Sequence, residues 1–342
     1  PMTSTRRTFI TGAAAAAAAA ALTACSQGLP TATGPTATPS HPVLDATRLG
    51  TVLERIRKGL DAADEAKDAT LLTGCLTGPA ERVRTEEYAL ATLAGDDTHV
   101  HRFTTEVQAG VVGLTSGFPR TAVVITEPAD GEPTYYLTLT QDAAREDYTL
   151  WSWTRLGDVE VPATPSSSVG ALEVAPEGNP EAGEPSSALL AQPRAVVEAY
   201  LDALNNPDGD NAAAFADDAL RQRIASERAI DLSGMGTVTV TAAAHEDGLR
   251  GLRTADGGAV FTTALTFTTE YRKTVAGSTL RLGGNVGRML GDSTEIVGVV
   301  LARYDAMVSF AVPSAATGGH STVLGTDLVL AAVERDDSQA PA

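Results

Sequence analysis

The chain has 342 residues, and its ionisable side chains leave a formal net charge of −18 at pH 7. A surface this acidic repels nucleic-acid phosphates and anionic lipid head groups, so we expect no nucleic-acid partner and no electrostatic docking onto a membrane. Hydrophobic residues make up 43% of the chain and aromatic residues 5%, which predicts a core built mainly of Ala, Val and Leu. The length predicts about two domains.

The segment 1–24 is predicted to be a twin-arginine lipoprotein signal peptide. Arg6 and Arg7 precede an apolar pair, an alanine run and a small-residue end, which is the pattern of such export signals. Leu22–Cys25 resembles the bacterial lipobox, whose cysteine receives a diacylglyceryl group and becomes the first mature residue. The alternatives are an ordinary secretory signal with a chance cysteine, or a transmembrane helix, for which the apolar stretch is too short. We therefore predict lipidation at Cys25 and a lipid-anchored position on the extracytoplasmic face of the cell membrane.

The remaining chain is divided by its composition into two similar halves. Arg82–Glu86 overlays on Arg223–Glu227 at an offset of 141 residues, which indicates two copies of one domain rather than a solenoid. The predicted order is a Pro/Thr-rich tether at 25–46, a first α+β domain at 47–160, an acidic Pro/Ser-rich linker at 161–192, a second α+β domain at 193–335 and a disordered tail at 336–342.

Within each half, helical periodicity comes first and strand periodicity follows. Apolar residues recur at helical spacing near 48–66 and 193–205, and each of these stretches is followed by a second helical segment. Period-two alternation then predicts antiparallel strands near 107–114, 121–127, 134–141 and 148–156, and again near 237–244, 259–275, 295–312 and 320–333. The glycine-rich stretch 283–287 is predicted to be a flexible hairpin, since it lacks the strand–turn–helix setting of a phosphate loop.

Helices followed by long antiparallel strands resemble the nuclear-transport-factor-2-like fold, a cone in which a curved sheet wraps on helices. The strand Trp151–Leu156, the segment Leu252–Ala259 and the lipobox start are also similar to an actinobacterial exported lipoprotein family of unknown function. The resemblance implies two tandem cone-shaped α+β domains and an envelope location. It implies no reaction and no cofactor.

The histidines are the first candidates for chemistry, and none of them lies in an apolar run flanked by a carboxylate. They are His41, His99, His101, His245 and His320. On a strand, His99 and His101 would share a face and could hold a transition metal. Asp96 and Asp97 could contribute but more naturally end the preceding helix, and the sequence nominates no further ligand. We therefore predict no catalytic residue, no cofactor and no metal site.

Trp151 and Trp153 are the best candidates for a ligand pocket, because a chain with few aromatic residues places both on one predicted strand, with Arg155 on the same face. An aromatic wall of a cavity is one interpretation, and ordinary core packing is the favoured one. Cys75 has no partner once Cys25 carries lipid, and we expect it to be a buried thiol.

These features favour a non-enzymatic binding or assembly module with a protein partner at the cell envelope. One alternative is a lyase- or isomerase-like enzyme that uses a cone cavity, and another is the solute-binding lipoprotein of a transporter. The last is disfavoured because such proteins alternate α and β segments around parallel sheets. An enzyme should place at least two ionisable groups in one cavity, so the structure can discriminate between these classes.

Overall fold

The computed structural model describes residues 42–115, 117–128, 133–166, 169–175, 188–291 and 293–342. The predicted signal peptide at 1–24, with Arg6 and Arg7, and the lipidation site Cys25 therefore lie outside the described residues. Among the helices that are described, we find none with both the length and the hydropathy needed to cross a membrane.

The first half begins with two helices, α1 (Ala46–Ala66) and α2 (Gly78–Ala94). Asp45 caps α1 by accepting a hydrogen bond from the Arg48 amide at 2.8 Å, and Gly95 ends α2 in the left-handed conformation. Four strands follow: β1 (Val107–Val112), β2 (Arg120–Thr126), β3 (Tyr135–Gln141) and β4 (Thr149–Leu156).

The second half repeats this order with one insertion. Its helices are α3 (Pro193–Asn205) and α4 (Ala219–Arg228), and Asp218 caps α4 by accepting from the amides of Leu220 and Arg221. The strands and the inserted helix are β5 (Gly236–Arg253), β6 (Ala259–Lys273), β7 (Leu280–Arg281), α5 (Gly284–Met289), β8 (Glu295–Ile296), β9 (Val299–Val312) and β10 (Thr322–Asp336).

Eight of the strands form a single antiparallel sheet in the order β1-β2-β3-β4-β10-β9-β6-β5. The halves meet where β4 pairs with β10, through Leu156 with Gly325 and Arg155 with Thr326. Each half therefore supplies a four-stranded meander to a shared sheet, and α2 and α4 begin 141 residues apart at Gly78 and Ala219. The predicted α+β class is confirmed, whereas two tandem domains are not confirmed, since His41–Ala342 forms one compact unit.

The sheet curls into a half-barrel, and part of the predicted linker at 161–192 bridges its two edges. The Ala171 amide donates to the Val112 carbonyl of β1 at 3.1 Å, and the Val174 amide donates to the Gly251 carbonyl of β5 at 3.1 Å. Ala171 and Val174 are buried. The linker prediction is therefore corrected for 171–174, because open strand edges and apolar side chains both gain partners there.

The two faces of the sheet have separate cores. The helices cover the larger one, while a smaller cluster on the other face brings Val111 and Val123 of the first half to Leu252 and Val260 of the second. Beside this cluster runs a row of fully buried hydroxyl groups, in which Thr138 contacts Thr262, Thr262 contacts Ser309, and Thr154 contacts Ser309 at 2.7–3.1 Å. These hydroxyls satisfy one another, as burial requires.

Two further predictions are corrected. The tail at 336–342 is not disordered throughout: Asp337–Gln339 forms a 3-10 turn, and Arg272 donates to the Gln339 side chain at 2.7 Å. Asp336 caps this turn by accepting from the Ser338 amide. The glycine-rich stretch 283–287 forms the start of α5 instead of a hairpin, with Gly283 as its N-terminal cap.

Candidate functional site

A central cavity of about 420 Å³ lies where the helices of both halves meet the middle of the sheet. Its lining residues come from α2, α4, α5, β6, β9, β10 and the segment after α2. They are Leu90, His99, His101, Arg223, Glu227, Ile230, Tyr271, Gly283, Gly284, Asn285, Val286, Tyr304, Leu328, Val329 and Leu330. Because the first half supplies His101 and the second half supplies Arg223 and Glu227, the cavity depends on the shared sheet.

The wall formed by the second half is organised around the buried carboxylate of Glu227 on α4. Tyr271 and Tyr304 donate their hydroxyl protons to it at 2.9 Å and 3.3 Å, and Arg223 donates at 2.5 Å. The Arg223 guanidinium also stacks over the Tyr304 ring, 5.0 Å from its centroid. Burial, reinforced by the Glu227 charge, raises the pKa of Tyr304 to about 12. Both phenols therefore remain protonated hydrogen-bond donors at neutral pH.

Another wall of the cavity holds a second cluster, the triad formed by Glu87 and His101 of the first half and Asp327 on β10 of the second half. The His101 Nδ1 atom lies 2.9 Å from Glu87 Oε1 and 2.8 Å from Asp327 Oδ1. The Glu87 and Asp327 side chains are buried, whereas the His101 side chain is 30% exposed and faces the cavity. The carboxylates of Asp327 and Glu87, close to Nδ1, raise the pKa of His101 to about 10, so the imidazole without a bound ion is cationic at neutral pH.

Other buried side chains fix the triad in place. Arg84 donates to Glu87 Oε2 at 2.8 Å and to the main-chain carbonyl of His101 at 2.8 Å. Trp153 donates its indole proton to Asp327 Oδ2 at 3.1 Å. Arg84 also stacks over Trp153, 4.8 Å from the ring centroid. The other oxygen of each carboxylate lies beside His101 Nδ1, and in Asp327 this oxygen, Oδ1, also accepts a hydrogen bond from the Leu328 amide at 2.9 Å.

The candidate pocket residues Trp151 and Trp153 are both buried, in line with the favoured interpretation of core packing, and neither lines the central cavity. A register shift between Thr138 and Leu139 of β3 leaves Trp151 as an extra residue in β4, so the predicted alternation breaks there. Trp153 packs in the helix-side core, whereas Trp151 lies under the Arg250 guanidinium of β5.

The side chains of His99 and His101, which the sequence placed on one face, also have different neighbours. His101 joins the carboxylates, while His99 lines the cavity 3.5 Å from the Asn285 amide. His245 lies 2.8 Å from Asp247, and His320 is exposed in the loop before β10, as expected for a solvated loop. His41 is outside the described residues. Cys75 is a buried free thiol, as predicted, and burial raises its pKa.

Sequence reasoning missed Glu87, Asp327 and Glu227, although the sequence carries a signal for them. Glu87 falls on the apolar stripe of α2 with Val83 and Ala91, three or four residues from its neighbours on that face. Asp327 interrupts the apolar strand β10. Because charged residues are almost never fully buried unless paired, a carboxylate at a core position indicates a partner elsewhere in the fold.

A second and larger cavity, of about 570 Å³, lies beside the bridging residues 172–175. It borders the undescribed residues 116 and 176–187. The central cavity is therefore the better candidate, since described residues with ionisable side chains surround it.

Comparison with known proteins gave no match to a protein-family model, a curated protein or a solved structure.

Proposed function

We propose that the protein is an exported, lipid-anchored binding module that takes a small polar ligand into the central cavity. The observation that carries this proposal is the convergence of ionisable and phenolic groups from both halves on one cavity. Cavities with a few convergent polar groups are the usual places for small ligands.

The ligand class follows from the donor that the cavity leaves open. Arg223 uses Nη2 for Glu227 and Tyr304, and its side chain is 41% exposed. Among the described residues Nη1 has no hydrogen-bond partner, so its N–H groups are open to a ligand. A guanidinium with open N–H groups binds carboxylate, phosphate or carbonyl oxygens. We therefore propose a ligand that presents such an oxygen to Arg223.

The test is a thermal-shift screen with small carboxylates, phosphates and neutral polar compounds. At least one compound should raise the melting temperature of the wild-type protein, and Arg223→Met should abolish that shift. Arg303→Met is the matched control, because Arg303 lies beside Tyr304 on β9 but does not line the cavity. A shift that is retained in Arg223→Met, or no shift with any compound, would count against the proposal.

Membrane anchoring is proposed from the sequence pattern at Arg6, Arg7 and Cys25. Two acyl chains on one cysteine hold a protein stably on a bilayer, so Cys25→Ala should move the protein out of the membrane fraction. Crosslinking in intact cells tests the accompanying proposal of a protein partner at the envelope. An unchanged membrane fraction for Cys25→Ala would refute the anchor.

The relationship to tandem nuclear-transport-factor-2-like domains also remains a proposal. It is supported by the repeat of two helices before a four-stranded meander, with α2 and α4 starting 141 residues apart. We propose that the halves are copies whose last strands joined into one sheet.

The second candidate function is a lyase- or isomerase-like enzyme, because His101, Arg223 and Glu227 meet the criterion of at least two ionisable groups in one cavity. We rank it second because each of these groups is already paired with other side chains. Compounds that bind in the screen can be incubated with the protein and analysed by mass spectrometry and NMR. Unchanged compounds support the binding module, and a converted one supports the enzyme.

A further inference from the structure

We propose that Glu87, His101 and Asp327 form a binding site for a divalent first-row transition-metal ion, with Zn²⁺ as the best-suited probe. The inference deepens the proposed function, because the ion would lie at the wall of the same cavity. The metal site itself does not depend on the proposed function. Only the contact between the bound ion and a small ligand in the cavity rests on it.

The three donor atoms lie close enough together to surround one ion. His101 Nδ1, Glu87 Oε1 and Asp327 Oδ1 all lie within 4.8 Å of one another. At metal–ligand distances of about 2.0–2.2 Å, two ligands are about 3 Å apart at a right angle and about 3.4 Å apart at the tetrahedral angle of Zn²⁺. The separations from Nδ1 to the two carboxylate oxygens are 2.9 Å and 2.8 Å, so a tetrahedral ion would spread these atoms by about half an ångström.

The unsatisfied hydrogen-bonding groups of the triad are a second, independent indication of a metal site. One imidazole N–H cannot point at two oxygens, and Glu87 Oε1 and His101 Nδ1 are buried atoms without a hydrogen-bond partner of good geometry. Such orphaned atoms are costly inside a protein. A cation between the three atoms would satisfy Glu87 Oε1 and His101 Nδ1 at once.

The surrounding residues supply the outer shell that metal sites usually have. Arg84 holds Glu87 through Oε2, and Trp153 holds Asp327 through Oδ2, so Oε1 and Oδ1 are the oxygens nearest the ion. Asp327 Oδ1 also accepts from the Leu328 amide at 2.9 Å, which orients it and leaves a second lone pair for coordination. Asp64 lies 3.7 Å from Arg84. With a neutral imidazole, the three carboxylates and the one guanidinium leave two negative charges, which a divalent cation balances.

The fold itself does not require this cluster. At the 141-residue offset, Arg84 corresponds to Ala225 and Glu87 corresponds to Arg228 on α4. The equivalent helix α4 therefore forms without an Arg84–Glu87 pair. It carries a buried carboxylate of its own at Glu227, and the triad itself combines Glu87 and His101 of the first half with Asp327 on β10 of the second.

The donor set selects the chemical class of the ion. One imidazole with two carboxylates suits Zn²⁺, Mn²⁺ or Fe²⁺ better than the all-oxygen preference of Ca²⁺ or Mg²⁺. Three protein ligands leave a coordination position open, as in metal sites that also bind water or a substrate. His101 faces the cavity, so the open position would meet the oxygen-bearing ligand proposed for Arg223.

The experiment is isothermal titration of the EDTA-treated, full-length protein in detergent with ZnCl₂ alone. We expect one ion per chain, and binding at least about 100-fold weaker in His101→Gln and in Asp327→Asn. His320→Gln should bind like the wild type, since His320 is an exposed loop residue that does not line the cavity. Cys75→Ala should also bind like the wild type, which excludes the free thiol as the ligand.

Two measurements keep the test decisive. Circular dichroism establishes that each variant is folded, and His101→Gln changes the most exposed member of the triad, so its fold should survive. Co²⁺ titration should give ligand-field absorption bands in the wild type that His101→Gln lacks. No stoichiometric Zn²⁺ binding by the wild type, or wild-type affinity in a folded His101→Gln, would overturn the metal site. Neither result depends on the small-molecule screen, so the two proposals can fail separately.

Discussion

At the level of single residues, Gly59 of α1 packs closely against Cys75. A methyl group at Gly59 would lie 2.0 Å from Cys75 Sγ and 3.2 Å from Cys75 Cβ. We expect Gly59→Ala to lower the free energy of unfolding by about 1–3 kcal/mol, as overpacking usually does. Urea denaturation measures the change.

The same helix offers the control for this prediction. A methyl group at Gly50 meets nothing within 4 Å, so Gly50→Ala should raise stability by about 0.5–1 kcal/mol through helix propensity. Combining Gly59→Ala with Cys75→Ala should restore part of the lost stability, because the clashing sulfur is gone. Equal effects of the two glycine substitutions would show that Gly59 and Cys75 are not packed as described.

The sequence predicted some properties of single residues but not which residues meet in the candidate site. The burial of Cys75 followed from its residue type, and His101 was considered together with His99 as a metal-ligating pair, although no metal site was predicted. Its partners Glu87 and Asp327 are 14 and 226 residues away along the chain. Spacing within one segment could not bring them together, because strand pairing between the halves determines where Asp327 lies.

At the level of elements, the strands were the most predictable feature, since period-two alternation persists over long stretches. The prediction of 259–275 corresponds to β6 at Ala259–Lys273, and that of 148–156 to β4 at Thr149–Leu156. The bridging residues 171–174 were not predictable as a sheet partner. Their surroundings are rich in proline and acidic residues, and only the curl of the sheet provides the two edges that they pair with.

This bridge contains a group that should make stability depend on pH. Glu173 accepts a hydrogen bond from the Thr121 amide at 2.6 Å, but burial dominates and raises its pKa to about 7. Between about pH 4.5 and 7 the folded protein therefore holds one more proton there than the unfolded chain. The contribution of Glu173 to the free energy of unfolding falls as the pH rises through this window, by about 1–3 kcal/mol.

Glu173→Gln tests the direction of this pH dependence, because glutamine cannot ionise but keeps an oxygen that accepts from the Thr121 amide. The variant should match the wild type near pH 4 and exceed its stability at pH 8, as measured by denaturation across that range. Glu127→Gln, at an exposed position after β2, should show no such crossover. A Glu173→Gln variant that is relatively less stable at pH 8 than at pH 4 would contradict the proposed effect of burial.

At the level of the whole molecule, the two halves should remain together after the chain between them is cut. A protease site inserted between Pro180 and Glu181 falls in the acidic, proline-rich segment that joins the halves. After cleavage, the two fragments should co-elute in size-exclusion chromatography and separate only in denaturant, because β4 pairs with β10 and 171–174 pairs with both halves. Fragments that separate under native conditions would instead support independent domains.

The central claim is that a cavity built jointly by the two halves carries the chemistry of this protein. Anomalous diffraction from crystals grown with Zn²⁺ tests it most directly, because the method locates the ion and both halves in one experiment. We expect a single strong anomalous peak between Glu87, His101 and Asp327, and a sheet in which β4 pairs with β10. A peak at other residues, or a sheet divided between β4 and β10, would contradict it.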